Sequence, residues 1–318
     1  MTRRTRAAAS LAGLVLLASC SSGSDGDGEV AASGATAGGG DQVVVALDDF
    51  AALHALSLGT EPDVVLEVFE YESTSAIFDD LGLTTQPYGS ELDVEAVAAL
   101  EPDVIIGVSI PTTAAAEAQL EAIAPTTVVD YTAGWEEQLA VVAEALGRED
   151  EAAAVQQRVE DSADDLAAAL EDAGRGGAVV SVVGDNGGFF SPPGSTAVGS
   201  VLSGVGLTRP PAQEASGDAT SPFVLFTAET LPDHDGDAIF LLSGGPYATG
   251  GLTGSPLWPT LGAVTAGAVA EVSGEMWLAP SAFSVTWVLD DVRAALLGEG
   301  EVASAADAPG RFAEFAGG

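Results

Sequence analysis

The chain has 318 residues, 47% of them hydrophobic, which suits one large domain or two smaller ones. The chain has 48 acidic residues and nine basic residues, none of them a lysine, which gives a net charge of −39. This charge would repel phosphate groups and therefore excludes nucleic-acid binding. A single cysteine, Cys20, excludes a disulfide framework and a cysteine-based zinc site, and His54 and His234 lie too far apart in sequence to suggest a histidine metal site. The scattered acids favour a soluble surface adapted to salt over a cation store.

The N-terminus has the layout of a secretory signal, in which three arginines precede an apolar run over residues 7–18. That run is too short for a stable membrane span. It ends in Leu-Ala-Ser-Cys, which resembles a bacterial lipobox and implies that Cys20 is acylated. We therefore predict a lipoprotein signal peptide over 1–20 and a flexible, Gly/Ser/Asp-rich tether over 21–41. The protein is expected on the outer face of the cell membrane, or on the periplasmic face if a second membrane exists; general secretion and twin-arginine export both stay open.

An N-terminal α/β lobe is predicted over residues 42–147, because short apolar runs alternate there with helical patterns. A turn-rich stretch is expected at 86–90. Asp93 can cap a short helix that ends before Pro102. Strands are predicted at 43–47, 64–68, 104–108 and 127–129, and further helices around 50–58, 114–122 and 136–146.

One long amphipathic helix is predicted over residues 149–172, within a connecting segment at 148–175. Its apolar residues recur at steps of three and four, and acids occupy its first turn, where the helix dipole favours them. At about 1.5 Å per residue, such a helix is about 36 Å long. The predicted fold is therefore α/β, with two lobes joined by a rigid helix.

A C-terminal α/β lobe is predicted over residues 176–298, and the Ala/Gly-rich tail at 299–318 is expected to be loosely ordered. A loop is expected from the first strand of this lobe to Pro193. Strands are predicted at 178–183, 238–242 and 269–272, and helices at 196–202, 228–231 and 285–296.

Residues 92–107 resemble the first-lobe signature of class III periplasmic binding proteins, which serve ABC importers of ferric siderophores, haem and cobalamin. Weaker landmarks follow in the same order at 123–126, 135–147, 228–231, 237–239, 255–258 and 276–277, so the resemblance covers most of 43–297. The signature is met by Asp93, Glu95, Val97, Leu100, Pro102, Asp103 and Ile105.

The resemblance implies two Rossmann-like lobes, a rigid helix between them and a ligand bound in the cleft without catalysis or a cofactor. It also implies one glutamate on each lobe that meets arginines of the permease, and by position these are Glu95 and Glu229. The expected partners are an ABC permease dimer with its ATPase, an iron-chelate or corrinoid ligand, and the membrane through the lipid anchor only. Both glutamates could also be ordinary helix first-turn acids.

Ligand groups are expected on loops at the carboxyl ends of the strands, where flat aromatic rings would suit a bulky chelate. Any one of these rings could equally pack in a core. Arg209 is the only arginine expected near the cleft, and this scarcity favours a neutral or cationic hydroxamate-type complex, or a corrinoid, over an anionic catecholate. The predicted aromatic ligand residues are Phe69, Tyr71, Tyr88, Phe189, Phe190, Tyr247 and Trp277.

A ferric siderophore is the predicted cargo, and cobalamin is the alternative. Haem ranks last, because its usual axial ligands include histidine, whereas His54 lies within a predicted helix. An enzyme is disfavoured because the chain has no G-x-S-x-G elbow and no G-x-G-x-x-G loop that follows a predicted strand. The remaining hypothesis is a structural or adhesive lipoprotein.

Overall fold

The structure is a computed structural model that describes residues 42–88, 91–214 and 223–318. The predicted signal peptide, its Cys20 and the tether at 21–41 lie outside these residues. Within them, no helix combines the length and the apolar composition needed to cross a membrane.

The first lobe is built on a five-stranded parallel sheet with strand order β3-β2-β1-β4-β5. The order reverses between β1 and β4, and the carboxyl ends at such a reversal are where ligands bind in open α/β sheets. The strands are β1 (Val44–Ala46), β2 (Val64–Glu67), β3 (Thr85–Pro87), β4 (Val104–Val108) and β5 (Thr126–Val129), and the helices are α1 (Asp49–Ser57), α2 (Glu72–Leu81), α3 (Val94–Ala99), α4 (Pro111–Leu120) and α5 (Trp135–Leu146).

Two elements of this lobe differ from the prediction. The stretch expected to be a turn at 86–90 begins within β3, whose last residue, Pro87, is tolerated because β3 is an edge strand. Helix α2 was not predicted, because its sequence is mostly polar and buries only Ile77 and Phe78 among its large apolar residues.

The predicted long helix is confirmed as α6 (Glu149–Asp172). It buries Val155, Val159, Leu166 and Leu170 and packs against α5 of the first lobe and against the last long helix of the second lobe. Its apolar face belongs to one hydrophobic core that contains residues of both lobes. The two lobes are therefore held by a shared core as well as by the helix.

The second lobe contains a five-stranded sheet with order β10-β9-β6-β7-β8, in which β6, β9 and β10 are parallel and β7 is antiparallel to both of its neighbours. The predicted helix at 228–231 is instead a turn followed by a 3-10 helix, Leu231–His234. Strands β7 and β8 were not predicted, because each has three residues and neither lies within an apolar run of five residues, as β1 does at 43–47. The strands are β6 (Val180–Asp185), β7 (Phe189–Ser191), β8 (Val224–Phe226), β9 (Ala238–Ser243) and β10 (Val269–Ser273), and the helices are α7 (Ala197–Gly204), α8 (Gly250–Thr253), α9 (Gly262–Ala266), α10 (Gly274–Leu278) and α11 (Ala282–Leu297).

The C-terminal tail is ordered, and the expectation of a loose segment at 299–318 was wrong. A 3-10 turn at Ala305–Asp307 leads into α12 (Ala308–Gly317), which lies against both α2 and α11. Phe312 is buried, with its ring centroid 5.2 Å from that of Phe283. The prediction relied on the Ala/Gly-rich composition and overlooked Phe312, which packs the tail against the core.

The predicted domain limits at 42–147, 148–175 and 176–298 stay predictions. Each of the two sheets lies within one of the predicted lobes.

Candidate ligand cleft

Four aromatic rings gather at the carboxyl edge of the first sheet. Phe50 follows β1, Phe69 and Tyr71 follow β2, and Tyr131 follows β5. The ring centroids of Phe50 and Phe69 lie 4.6 Å apart, those of Phe69 and Tyr71 5.4 Å, and those of Phe50 and Tyr131 5.8 Å. Tyr131, as a whole residue, is 38% exposed, the highest value in the group.

The second lobe continues this group across the boundary between the lobes. The Tyr247 hydroxyl, on the loop after β9, lies beside the Tyr71 hydroxyl, and each phenol affects the pKa of the other. Behind it lies Phe190, whose ring centroid is 6.0 Å from that of Tyr247 and 4.8 Å from that of Phe223. Phe50 and Phe190 are themselves buried and support the more exposed rings. We call this group the aromatic wall: Phe50, Phe69, Tyr71, Tyr131, Phe190, Phe223 and Tyr247.

The loop that carries Phe69 and Tyr71 is fixed by Asp49, at the start of α1. Asp49 Oδ2 accepts from the backbone N–H groups of Val68 and Phe69, each at 3.0 Å. Asp49 Oδ1 accepts from the Thr74 hydroxyl at 2.9 Å. Burial raises the pKa of Asp49. The loop with Phe69 and Tyr71 is therefore fixed by hydrogen bonds to Asp49, the first residue of α1.

The loop that carries Tyr131 is held by a buried polar pair, His54 and Gln138. Gln138 Nε2 donates to the carbonyl of Ala133 at 2.8 Å and to that of Tyr131 at 3.4 Å. Gln138 Oε1 lies 3.3 Å from His54 Nε2, which is then the donor. Burial lowers the pKa of His54 to about 4, so the imidazole is neutral at pH 7.

Buried carboxylates lie beside the first-lobe rings of the aromatic wall. Asp48 accepts from the backbone N–H of Val108 at 2.7 Å and that of Ala51 at 2.8 Å, and burial raises its pKa to about 6. Burial, with smaller contributions from Tyr247 and Asp48, raises the pKa of Tyr131 to about 12. The tyrosine is therefore a neutral hydrogen-bond donor at pH 7.

The prediction from the strand ends gave four members of the wall: Phe69, Tyr71, Phe190 and Tyr247. Phe189 lies on the opposite face of β7 from Phe190, as successive strand residues do, and its ring packs 5.7 Å from that of Phe226. Tyr88 lies in a separate apolar cluster with residues of α3, and its hydroxyl has no partner among the described residues.

Trp277 and Arg209 must be corrected to internal structural residues. Trp277 is 1% exposed, and its Nε1 donates to Asp291 at 2.8 Å. Arg209 is 7% exposed and donates to Gln213, to Ser191 and to the carbonyl of Pro192. Burial lowers the pKa of Arg209 to about 10.

Sequence reasoning missed Phe50, Tyr131 and the interlobe contact of Glu275. Tyr131 could have been found, because it stands two residues after a predicted strand and the strand-end rule applies to it. Glu275 accepts from the backbone N–H of Ser73, 202 residues away, and nothing local in the sequence signals that contact.

The two glutamates predicted to meet the permease are both exposed. Glu95 is in the first turn of α3, which Asp93 caps by accepting from the Ala96 N–H at 3.0 Å. Glu229 lies in the turn before the 3-10 helix, and a hydrogen bond from the Thr227 side chain lowers its pKa. Their contact with a permease stays a prediction. In the three described ranges, no group of three or more His, Cys, Asp or Glu side chains could hold a metal ion.

Several known proteins resemble this chain. A Bacillus subtilis protein named as the probable siderophore-binding lipoprotein YfiY is 29% identical over 232 residues, which are 67% of each chain. SirA of Staphylococcus aureus is 23% identical with a TM-score of 0.69, over 81% of this chain and 100% of SirA. The siderophore periplasmic binding protein from the fuscachelin gene cluster of Thermobifida fusca is 26% identical with a TM-score of 0.65, over 81% of this chain and 96% of that one.

The solved structures show the same two-lobed α/β fold, in keeping with the two sheets and α6. The periplasmic binding protein family matches residues 43–275, which span both sheets and all of α6. The chain belongs to the periplasmic binding protein family.

Proposed function

We propose that this protein is the substrate-binding component of an ABC importer, which captures a ferric siderophore and delivers it to the permease. The observation that carries the proposal is the aromatic wall, built by both lobes at the carboxyl edge of the first sheet. Flat rings with phenolic donors suit a bulky chelate that is gripped by surface contact and a few hydrogen bonds. The names of relatives such as YfiY point to the same cargo.

The charges near the wall favour a neutral or cationic chelate. Asp48 and Asp49 are buried beside the first-lobe rings, and Glu275 is buried beside the tyrosine pair. Arg148, Arg293 and Arg311 form ion pairs, Arg158 lies over Phe315, and Arg175 follows α6. Arg209 reaches the strand of Phe190, but it is buried and donates to Gln213, Ser191 and the carbonyl of Pro192. An anionic tris-catecholate would find no offsetting cation among these residues.

Calorimetric titration of the purified protein tests the cargo. Ferrioxamine B represents ferric hydroxamates, and a ferric tris-catecholate and cyanocobalamin are titrated in parallel. We expect saturable binding of ferrioxamine B at micromolar concentration or below and at least tenfold weaker binding of the catecholate. Tighter binding of cyanocobalamin would replace the siderophore with a corrinoid, and no binding of any of the three would refute the proposal.

We also propose that Glu95 and Glu229 dock on arginines of the permease, because exposed carboxylates can form bidentate pairs with guanidinium groups. The variant Glu95→Arg/Glu229→Arg is expected to lower uptake of radioactive ferric chelate at least tenfold while calorimetric affinity is unchanged. Glu117→Arg/Glu160→Arg, at exposed positions on α4 and α6, is the matched control. Equal uptake by both variants would exclude the docking role.

The membrane anchor is proposed from the sequence, in which Cys20 closes a lipobox-like motif. The variant Cys20→Ser is expected to abolish incorporation of radioactive palmitate. Labelling of that variant would place the lipid elsewhere.

A further inference from the structure

The first turn of α2, in the first lobe, is capped by a residue of the second lobe. The N-cap of α2 is Tyr71, whose side chain makes no capping hydrogen bond. Glu275 of α10 supplies the acceptors instead: Oε1 accepts from the Glu72 N–H at 3.2 Å, and Oε2 accepts from the Ser73 N–H at 3.0 Å and the Ser73 hydroxyl at 2.9 Å. The first N–H groups of a helix have no acceptor within the helix, and the Tyr71 side chain does not supply one here. Glu275 is therefore the acceptor for the N–H groups of Glu72 and Ser73.

The Glu275 carboxylate is buried, with the residue 2% exposed, and its surroundings leave it little freedom. A Cβ atom on Gly245 would overlap the carboxylate, and one on Gly274 would overlap the ring of Tyr247. Two glycines of the second lobe therefore leave the space that the Glu275 carboxylate and the Tyr247 ring occupy. Ser273 caps α10 by accepting from the Met276 N–H at 3.4 Å, which fixes the start of the helix that carries Glu275.

Tyr71 stands directly before the capped turn, and its phenol lies beside that of Tyr247. Its backbone position therefore depends on the cap that Glu275 provides. Burial is the main cause that raises the pKa of both phenols, and the negative charge of Glu275 raises it further. Each phenol therefore keeps its proton at pH 7. The tyrosine pair and the cap form one connected contact between the lobes.

We propose that Glu275 is a positioning residue of the ligand site, an interlobe latch that holds Tyr71 against Tyr247 in the aromatic wall by capping α2 from the second lobe. The latch requires no ligand, whereas its effect on affinity rests on the proposed function. Loss of the latch frees the start of α2 and lets Tyr71 leave the wall, which weakens ligand binding chiefly through faster dissociation.

Fluorine NMR tests the latch without any ligand, because the chain has only four tyrosines, Tyr71, Tyr88, Tyr131 and Tyr247. The protein is labelled with 3-fluorotyrosine, and each resonance is assigned with a Tyr→Phe variant. In Glu275→Ala we expect the resonances of Tyr71 and Tyr247 to shift or broaden, and that of Tyr88, in its separate cluster, to stay unchanged. Glu271→Ala, at an exposed position on β10, is the matched control.

Affinity for ferrioxamine B gives the second readout. We expect Glu275→Ala to bind about tenfold more weakly, the order of one lost helix cap. Ser73→Ala loses one of the three hydrogen bonds and should shift the same two resonances by less. Should Glu275→Ala fail to fold, Glu275→Gln, which keeps one acceptor oxygen, and Ser73→Ala carry the test.

Unchanged Tyr71 and Tyr247 resonances in these variants, or equal changes in Glu271→Ala, would overturn the latch. If the wild-type protein binds no ferric chelate, the proposed cargo fails, and the fluorine spectra still decide the latch.

Discussion

Asp49 Oδ2 accepts a hydrogen bond of 3.0 Å from the backbone N–H of Phe69 and thereby ties the aromatic wall to the start of α1. In Asp49→Asn one acceptor oxygen becomes a donor, so the buried loop loses part of its support. We expect a loss of about 1–3 kcal/mol in unfolding free energy and about tenfold weaker binding of ferrioxamine B. Urea unfolding and calorimetry measure the two effects.

Asp63 is the matched control for Asp49. Its carboxylate also holds a backbone N–H, that of Val44 at 2.8 Å, but at the amino end of the sheet, away from the wall. Asp63→Asn should cost stability and leave affinity unchanged. If both variants bind equally weakly, the effect of Asp49 is general destabilisation.

Tyr131 is the most exposed residue of the wall, and we expect it to contact the ligand directly. Tyr131→Ala should weaken binding of ferrioxamine B by about 1–2 kcal/mol, as loss of one aromatic contact does, and change stability little. Tyr88→Phe, which removes a hydroxyl without a partner among the described residues, should not change affinity. The opposite order of effects would move the ligand to the side of α3.

His54 predicts a pH dependence of stability. Its folded pKa, lowered to about 4 by burial, is below the ordinary value of 6.5, so the unfolded state binds the proton more readily. Stability from this group is fully present above pH 6.5 and is lost as the pH falls towards 4. The expected loss between pH 7 and pH 4 is about 3 kcal/mol.

The variant His54→Gln isolates this contribution, because its amide can still donate to Gln138 but does not titrate. Asp48 acts in the opposite sense over nearly the same range, since its raised pKa of about 6 stabilises the folded state as the pH falls. Comparison of the two proteins cancels Asp48. Wild type and variant should diverge below pH 6.5 in urea unfolding, and parallel curves would mean that His54 is not buried and neutral.

The elements found from the sequence are those with a strong local signal. Helix α6 was predicted with its observed bounds, because its apolar period extends over 24 residues. Strands β3, β7 and β8 have three residues each and lack the five-residue apolar run that revealed β1, which is equally short. At the site, the strand-end rule located Tyr71 and Tyr247 but failed for Trp277, because it says where a residue lies and not where its side chain points.

A substitution at Phe312 measures how much the ordered tail, which was not predicted from composition, contributes to stability. Its ring is 4% exposed and contacts the core near Phe283, while α12 lies against α2, the helix that Glu275 caps. We expect Phe312→Ala to lower the unfolding free energy by about 3 kcal/mol, the usual cost of a large-to-small change in a core. Glu314→Ala, exposed on the same helix, should change it by less than about 0.5 kcal/mol. Because α12 packs against α2, whose first turn Glu275 caps, Phe312→Ala should also shift the fluorotyrosine resonance of Tyr71. If Phe312→Ala matches Glu314→Ala in both measurements, the tail does not brace the lobes.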